Sequence, residues 1–333
     1  MESPCPCEEQ VSDNWHKLAV LLDYSPQLSS SHFAGPSGSR VRKVAAGYSA
    51  LVMLSVIWGL AFVAIKQATF ELSPVNLAII RWFIAGACFL VLVPIIGKPK
   101  TKLEKKDLPR LFVVAFSNVV GYHLSLYYAE TTVSAGLAGL LISFGPVFVV
   151  ILSVRLLNEH AGGKVVLTLL FAVLGTLVLS VGQVSLSNLS SLFGPAEVIL
   201  AAAFYAILTV VGKPLVHKYG APPTTIWAGL LGTMMLVPLL SESFVTQVEA
   251  LSVTGWASVL YLSVLSTVIG YLLFYTLVSR GAVSRLSVQL YLAPIVSVLG
   301  GVLILNEGFT IFTVAGGALL LLAVALVTSA SRS

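Results

Sequence analysis

Residues 121 to 159 and 270 to 307 carry one pattern twice. Gly121-Tyr122 leads to Pro146 and then Asn158-Glu159, and Gly270-Tyr271 leads to Pro294 and then Asn306-Glu307, with the same spacing from proline to Asn-Glu in both copies. In a chain this apolar, each copy has to be placed within lipid. A duplicated unit that crosses a membrane an odd number of times sets its two copies in opposite orientations, an arrangement typical of secondary transporters.

The composition requires the lipid. Of the 333 residues, 57% are hydrophobic and only 10% charged, and the mean hydropathy is +0.96. That leaves too little polar surface to coat a soluble globule of this size. The net charge of +5 does not point to nucleic acid, because the basic residues lie between apolar runs and form no aromatic-laced stripe. Cys5 and Cys7 lie in a polar tail and Cys88 inside an apolar run, so no pair has the spacing of a zinc site or a disulfide framework. No metal or cofactor is expected.

Residues 1–44 are rich in Ser, Pro and charge and are read as a poorly ordered cytoplasmic tail; Val41 or Val44 would serve as alternative starts. A helix needs about 20 apolar residues to cross the hydrocarbon. Runs that meet this lie at 45–66, 74–96, 108–128, 132–155, 164–183, 194–213, 222–240, 254–277, 283–305 and 310–329. The reading is therefore an all-α membrane protein of ten spans, five (45–183) in a first repeat and five (194–329) in an inverted second one. Of the 19 basic residues all but Lys66 and Arg81 fall in the tail or in the breaks on one side, which puts both termini in the cytoplasm.

The stretch AETTVSAGLAGLLISFGPVFVVILSVRLLNEH at 129–160 resembles the repeat of the EamA family, in the drug/metabolite transporter superfamily, and LVSRGAVSRLSVQLYLAPIVSVLGGVLILNEGFT at 277–310 resembles its second copy. IWGLAFVAIK at 57–66 and IIRWFIAG at 79–86 are similar to the family's first two spans. The resemblance covers residues 45–329 and implies two inverted five-helix repeats around a central cavity that opens alternately to each side. It also implies transport of amino acids, other metabolites or drugs. The chain departs from the family in having Asn158 and Asn306 where a glycine usually precedes the glutamate.

Ionisable groups inside spans are expensive, so they mark candidate sites. Arg81, about seven residues into the second span, is the candidate for meeting a substrate carboxylate. Tyr122 and Tyr271, at matching places in the repeats, are expected to line the cavity, as are Trp58 and Tyr205 in the first span of each half; His123 joins this substrate-binding set. Tyr127 and Tyr128 read as an interfacial belt. His123, Glu130 and Glu197 are the candidates for proton coupling; Glu130, Glu159, Glu197 and Glu307 all lie near span ends, where a carboxylate can stay hydrated or complement a helix N-terminus. Pro146 and Pro294 are candidate hinges. Asn76, Asn118, Trp227, Gln289 and Tyr291 read as interhelical contacts.

These residues point to a multi-pass carrier in the cell membrane, monomeric or homodimeric, that exports or exchanges amino acids or similar small metabolites. A drug or nucleotide-sugar carrier is the alternative, followed by a membrane-embedded receptor or enzyme. The sequence holds no H-E-x-x-H, G-x-S-x-G or Walker A motif, so neither hydrolytic chemistry nor ATP-driven transport has a motif to support it.

Overall fold

Ser73-Pro74, Gly220 and Ser252 punctuate the chain where helices stop and start, and the computed structural model follows them. It describes residues 38–96, 102–157, 163–181, 192–279 and 287–330, which hold helices and their connections without strands. Tail residues 1–37, with Asn158 and Glu159, lie outside the described residues, as do the side chains of Gln289 and Tyr291. The helices are α1 (Gly38–Thr69), α2 (Pro74–Ile96), α3 (Leu108–Ala115 continuing through Phe116–Tyr122 into His123–Thr132), α4 (Ala135–Leu141), α5 (Gly145–Leu157) and α6 (Gly163–Val181). They continue with α7 (Phe193–Tyr219), α8 (Ala221–Leu236), α9 (Ser243–Glu249), α10 (Val253–Leu260 through Tyr261–Ile269 into Gly270–Ser279), α11 (Ser287–Leu305) and α12 (Ile311–Ala330).

Local chemistry sets the boundaries. Pro74 opens α2 with its preset φ and no N–H to satisfy. Ser134 caps α4 and Ser252 caps α10, each side-chain oxygen accepting a backbone N–H three residues on. Gly220 ends α7 at a φ of 92°, a conformation open to glycine, and Pro222 and Pro223 sit in the first turn of α8.

Among the described residues, five helical stretches are each long and apolar enough to cross a membrane: Ser49–Thr69, Pro74–Val93, Lys105–Thr132, Phe193–Tyr219 and Val253–Phe274. A sixth arises if Ala221–Leu239 and Ser243–Glu249, bent by 109°, are one span. Shorter apolar helices occupy the remaining expected runs. The polar break expected after residue 240 is itself the helix α9, turned across the end of the bundle, and the run at 132–155 is split by a tight 3₁₀ turn at Ile142–Phe144. A proline at 146 explains the split, since it has no N–H and its ring crowds the carbonyl four residues back. Pro294, its counterpart, lies within a continuous α11.

Packing runs largely across the boundary between the halves. α1 and α4 pack on α11, α6 on α12, α3 and α5 on α7, and α2 on α8. At one end, Glu71 accepts hydrogen bonds from Ser252 N and Oγ, both 2.7 Å, while Asn76 Nδ2 donates to Gln247 Oε1 at 2.8 Å. Elsewhere the start of α3 meets the end of α7, where Lys218 Nζ and Tyr219 Oη donate to Asp107 Oδ2 at 2.7 and 2.6 Å. Hydrogen bonds from Lys106 and Lys218 hold the Glu104 carboxyl below its ordinary range. Trp82, Tyr127, Phe89 and Leu77 fill the interior, whereas Leu90, Val91, Leu303 and Ile304 stand outward, the inverse of a water-facing surface.

α6 and α12 touch backbone to backbone. A Cβ at Gly175 would lie 2.9 Å from Gly316 O, and one at Gly316 would lie 2.8 Å from Gly175 O. Neither backbone can give way, which fits the role of small residues at helix crossings in lipid. Gly175→Val and Gly316→Val are therefore expected to destabilise the protein by about 1–3 kcal/mol each. Gly308→Ala, whose Cβ meets nothing within 4 Å, should leave the melting temperature unchanged. Melting of the three purified variants in detergent checks this.

Candidate functional site

Arg81 projects from the second turn of α2 and is only 6% exposed. Its guanidinium joins three helices. Nη1 donates to Tyr127 Oη on α3 at 2.7 Å, and Nε and Nη2 both donate to Thr267 Oγ1 on α10 at 3.1 Å. Nη2 also reaches Ser266 Oγ at 3.5 Å. Every one of these partners is a neutral hydroxyl. Among the described residues, no carboxylate lies within ion-pair distance of this cation.

The hydroxyls are aimed by a local departure from α-helix. Both α3 and α10 contain a π-helical stretch, Phe116–Tyr122 in one and Tyr261–Ile269 in the other. The first ends on its Gly-Tyr pair, Gly121-Tyr122, and the second stops just before Gly270-Tyr271. Within them, hydrogen bonds close over five residues: Thr267 Oγ1 donates to Leu262 O at 2.8 Å, and His123 Nδ1 contacts Asn118 O at 2.7 Å. Because Thr267 spends its proton on its own helix, its lone pairs are left for Arg81. A carbonyl only accepts, so His123 carries its proton on Nδ1. π-helical turns in α-helices are often found at functional positions.

The repeated tyrosines are placed by an exchange between the halves. Trp58, on the first helix of the first half, packs edge-on against Tyr271 of the second half at 5.9 Å between centroids. Tyr205, on the first helix of the second half, packs against Tyr122 of the first half at 6.4 Å. The glycines beside the tyrosines make room for this. A Cβ at Gly270 would lie 2.5 Å from Trp58 Nε1, and one at Gly121 would lie 2.6 Å from the Phe204 ring, next to Tyr205. Trp58 is fixed in turn by Nε1 donating to Ser266 O at 3.0 Å. The Arg81 charge acts on Tyr122, Tyr271, His123 and the Glu130 carboxyl group, so the cation, the aromatic groups and this buried acid form one electrostatic neighbourhood.

The structure thus brings together Trp58, Arg81, Tyr122, His123, Tyr205 and Tyr271. It revises other readings. Tyr127 is fully buried on Arg81 rather than in an interfacial belt, while Tyr128 is 44% exposed as a belt residue would be. Glu130 is not hydrated: it is fully buried, and neither carboxylate oxygen has a hydrogen-bond partner. His123 is enclosed by Trp82, Tyr122 and Tyr127, with centroids 5.1, 4.9 and 5.7 Å away. Glu197, near the start of α7, is partly exposed and outside these contacts. Trp227 packs on Tyr219 at 5.4 Å, and Asn76 bonds across helices, both away from Arg81.

Sequence reading missed Tyr127, Ser266 and Thr267. Tyr127 had a usable signal, since it falls four residues after His123 and so on the same helical face. An apolar groove of about 420 Å³, lined by Phe83, Gly86, Leu90, Leu230, Thr233 and Met234, lies between α2 and α8. Its exposed Leu90 and Met234 make it part of the outer surface of the bundle, apart from the charged centre.

Comparison with known proteins gives this arrangement its class. The model of the EamA-like transporter family matches residues 45–181 and again 192–329. An uncharacterized transporter of Archaeoglobus fulgidus is 37% identical over 277 residues, covering 83% of this chain and 96% of its own. A probable terminal-alkyne amino-acid exporter of Streptantibioticus cattleyicolor is 29% identical, covering 81% and 89%. A crystal structure superposes with a TM-score of 0.57 at 16% identity over 86% of this chain and 98% of that one, a likeness of fold. The protein is a multi-pass membrane transporter. It belongs to the EamA-like transporter family of the drug/metabolite transporter superfamily.

The Arg81–Tyr127 contact makes a quantitative prediction. Removing a hydroxyl that accepts from a buried cation costs about 1.5–3 kcal/mol. Tyr127→Phe should therefore lower the melting temperature clearly, and Tyr128→Phe should not, in melts of the two purified variants side by side.

Proposed function

We propose that this protein is an alternating-access carrier that exports or exchanges amino acids or similar small metabolites. The two five-helix repeats, 45–183 and 194–329, would together span the cell membrane ten times with both termini in the cytoplasm. The observation that carries the reading is Arg81: a buried guanidinium at the junction of the halves, held by neutral hydroxyls and left with a full positive charge. A substrate carboxylate supplies the counter-charge, accepting a charge-assisted hydrogen bond from the second N–H of Nη1, which the hydroxyls leave. Tyr122, Tyr271, Trp58 and Tyr205 offer flat apolar faces for the rest of the solute. The amino-acid exporter among the relatives supports this substrate class.

Rocking of the repeats about this site would expose it to one side at a time, with Pro146 and Pro294 as hinges. For coupling, Glu130 is the first residue to test, because its carboxyl group is fully buried and neither oxygen has a hydrogen-bond partner. His123 and Glu197 are the further candidates.

Counterflow in proteoliposomes tests the proposal. Vesicles loaded with unlabelled amino acids should take up a labelled one saturably, and the corresponding amino-acid amides, which lack the carboxylate, should not drive it. Counterflow driven equally by amides would remove Arg81 as the carboxylate partner; no counterflow by any amino acid from monodisperse protein would remove the substrate class.

A further inference from the structure

The second copy of the repeated Asn-Glu pair is not among the contacts of Arg81, and it makes a specific contact between the end of α11 and the first half. After α11 ends, Asn306 turns the chain at a φ of 54° and Glu307 N donates back to Gly301 O at 3.0 Å. Asn306 is a non-glycine residue in the left-handed region, where asparagine is among the few side chains tolerated. The turn aims the carboxylate across the repeat boundary. Glu307 Oε1 accepts from Ala135 N at 2.6 Å and Oε2 from Gly136 N at 3.0 Å, the first two N–H groups of α4. Ser134 Oγ takes the third, from Leu137 N at 3.2 Å. A carboxylate here meets both unpaired donors and the positive end of the helix.

Three features make this contact releasable. First, α4 is a short segment, cut from α5 by the 3₁₀ turn at Ile142–Phe144 that precedes Pro146. It is hinged at one end and gripped by Glu307 at the other. Second, the α4–α11 seam is smooth: Gly136 lies against Val298, Gly139 against Ser297, and a side chain at Gly301 would collide with Glu307. Third, the neighbouring lysine holds a different element. Lys66 Nζ donates to Glu130 O and Val133 O at 2.6 and 3.0 Å, capping the last turn of α3 within the first half. Among the described contacts, the polar hold on α4 from the end of α11 is the Glu307 carboxylate.

We propose that Glu307 is a gating residue for transport: its grip on Ala135 N and Gly136 N closes the outer side, and its release lets α4 swing on the Ile142–Phe144 turn. The proposal rests on the carrier reading, and its orientation rests on both termini being cytoplasmic.

The test uses the full chain in proteoliposomes with Cys5, Cys7 and Cys88 replaced by serine. Ser297→Cys, fully buried beneath the contact, reports opening through its rate of labelling by a membrane-impermeant maleimide. Glu307→Gln should raise that rate about tenfold or more, the effect of weakening one charge-assisted hydrogen bond. Ala135→Pro should do likewise, because it removes one donor at a helix position that accepts proline. Ser263→Cys, buried in α10, should label at its original slow rate in both backgrounds. Faster labelling at Ser263→Cys as well would mean general loosening and overturn a gating role. Unchanged labelling at Ser297→Cys in both variants would overturn it too. Acceleration only by reagent trapped on the inner face would support the gate while overturning the proposed orientation.

Discussion

The buried guanidinium of Arg81 is the interaction on which the arrangement depends. A cation held away from water is tolerated only where its donors find partners, and here oxygens from two other helices take all but one N–H of Nη1. That requirement fixes α2, α3 and α10 against one another at the depth of Arg81. The hydroxyls supply hydrogen bonds without supplying a negative charge, and among the described residues no carboxylate comes within ion-pair distance; the buried Glu130 acts on Arg81 from farther away. The proposed role of Arg81 rests on that difference.

Duplication explains how such a centre is assembled. The two repeats meet with matching segments facing each other, so the first helix of each half lays its aromatic residue on the Gly-Tyr pair of the other. The glycine gives clearance and the tyrosine gives the surface. π-helical stretches next to both pairs supply the rotation that points Thr267 at Arg81 and Asn118 O at His123. The halves are not exact copies, however. Pro146 follows a broken helix and Pro294 sits in a continuous one, so α4 forms a short separate segment while α11 remains a single rod.

Much of this was legible in the sequence, for physical reasons. Apolar runs bounded by Pro, Gly and Ser fix helices because both period and punctuation are local. Arg81, Tyr122, Tyr271, Trp58 and Tyr205 could be singled out because polar and aromatic groups at matching places in a repeat imply a shared surface. What could not be read were partnerships between residues distant in sequence. Tyr127 looks interfacial until α2 is placed beside it, and Glu130 looks hydrated until α1 covers it. Thr267 and Ser266 carry no periodic signal, since the π-helical turns that orient them leave no mark in the hydropathy pattern. Glu307 appeared to be an ordinary span-end carboxylate, and only the crossing of α4 and α11 gives it two backbone donors.

The most direct test of the central claim, that a substrate carboxylate completes the charge of Arg81, is equilibrium binding of labelled amino acids to purified wild-type protein and to Arg81→Lys. Lysine keeps the charge but loses the planar fork that reaches Tyr127, Thr267 and an incoming carboxylate together. The account predicts saturable binding to the wild type and at least about tenfold weaker binding to a folded Arg81→Lys, the loss of roughly one charge-assisted hydrogen bond. Equal affinity in the two proteins would contradict it.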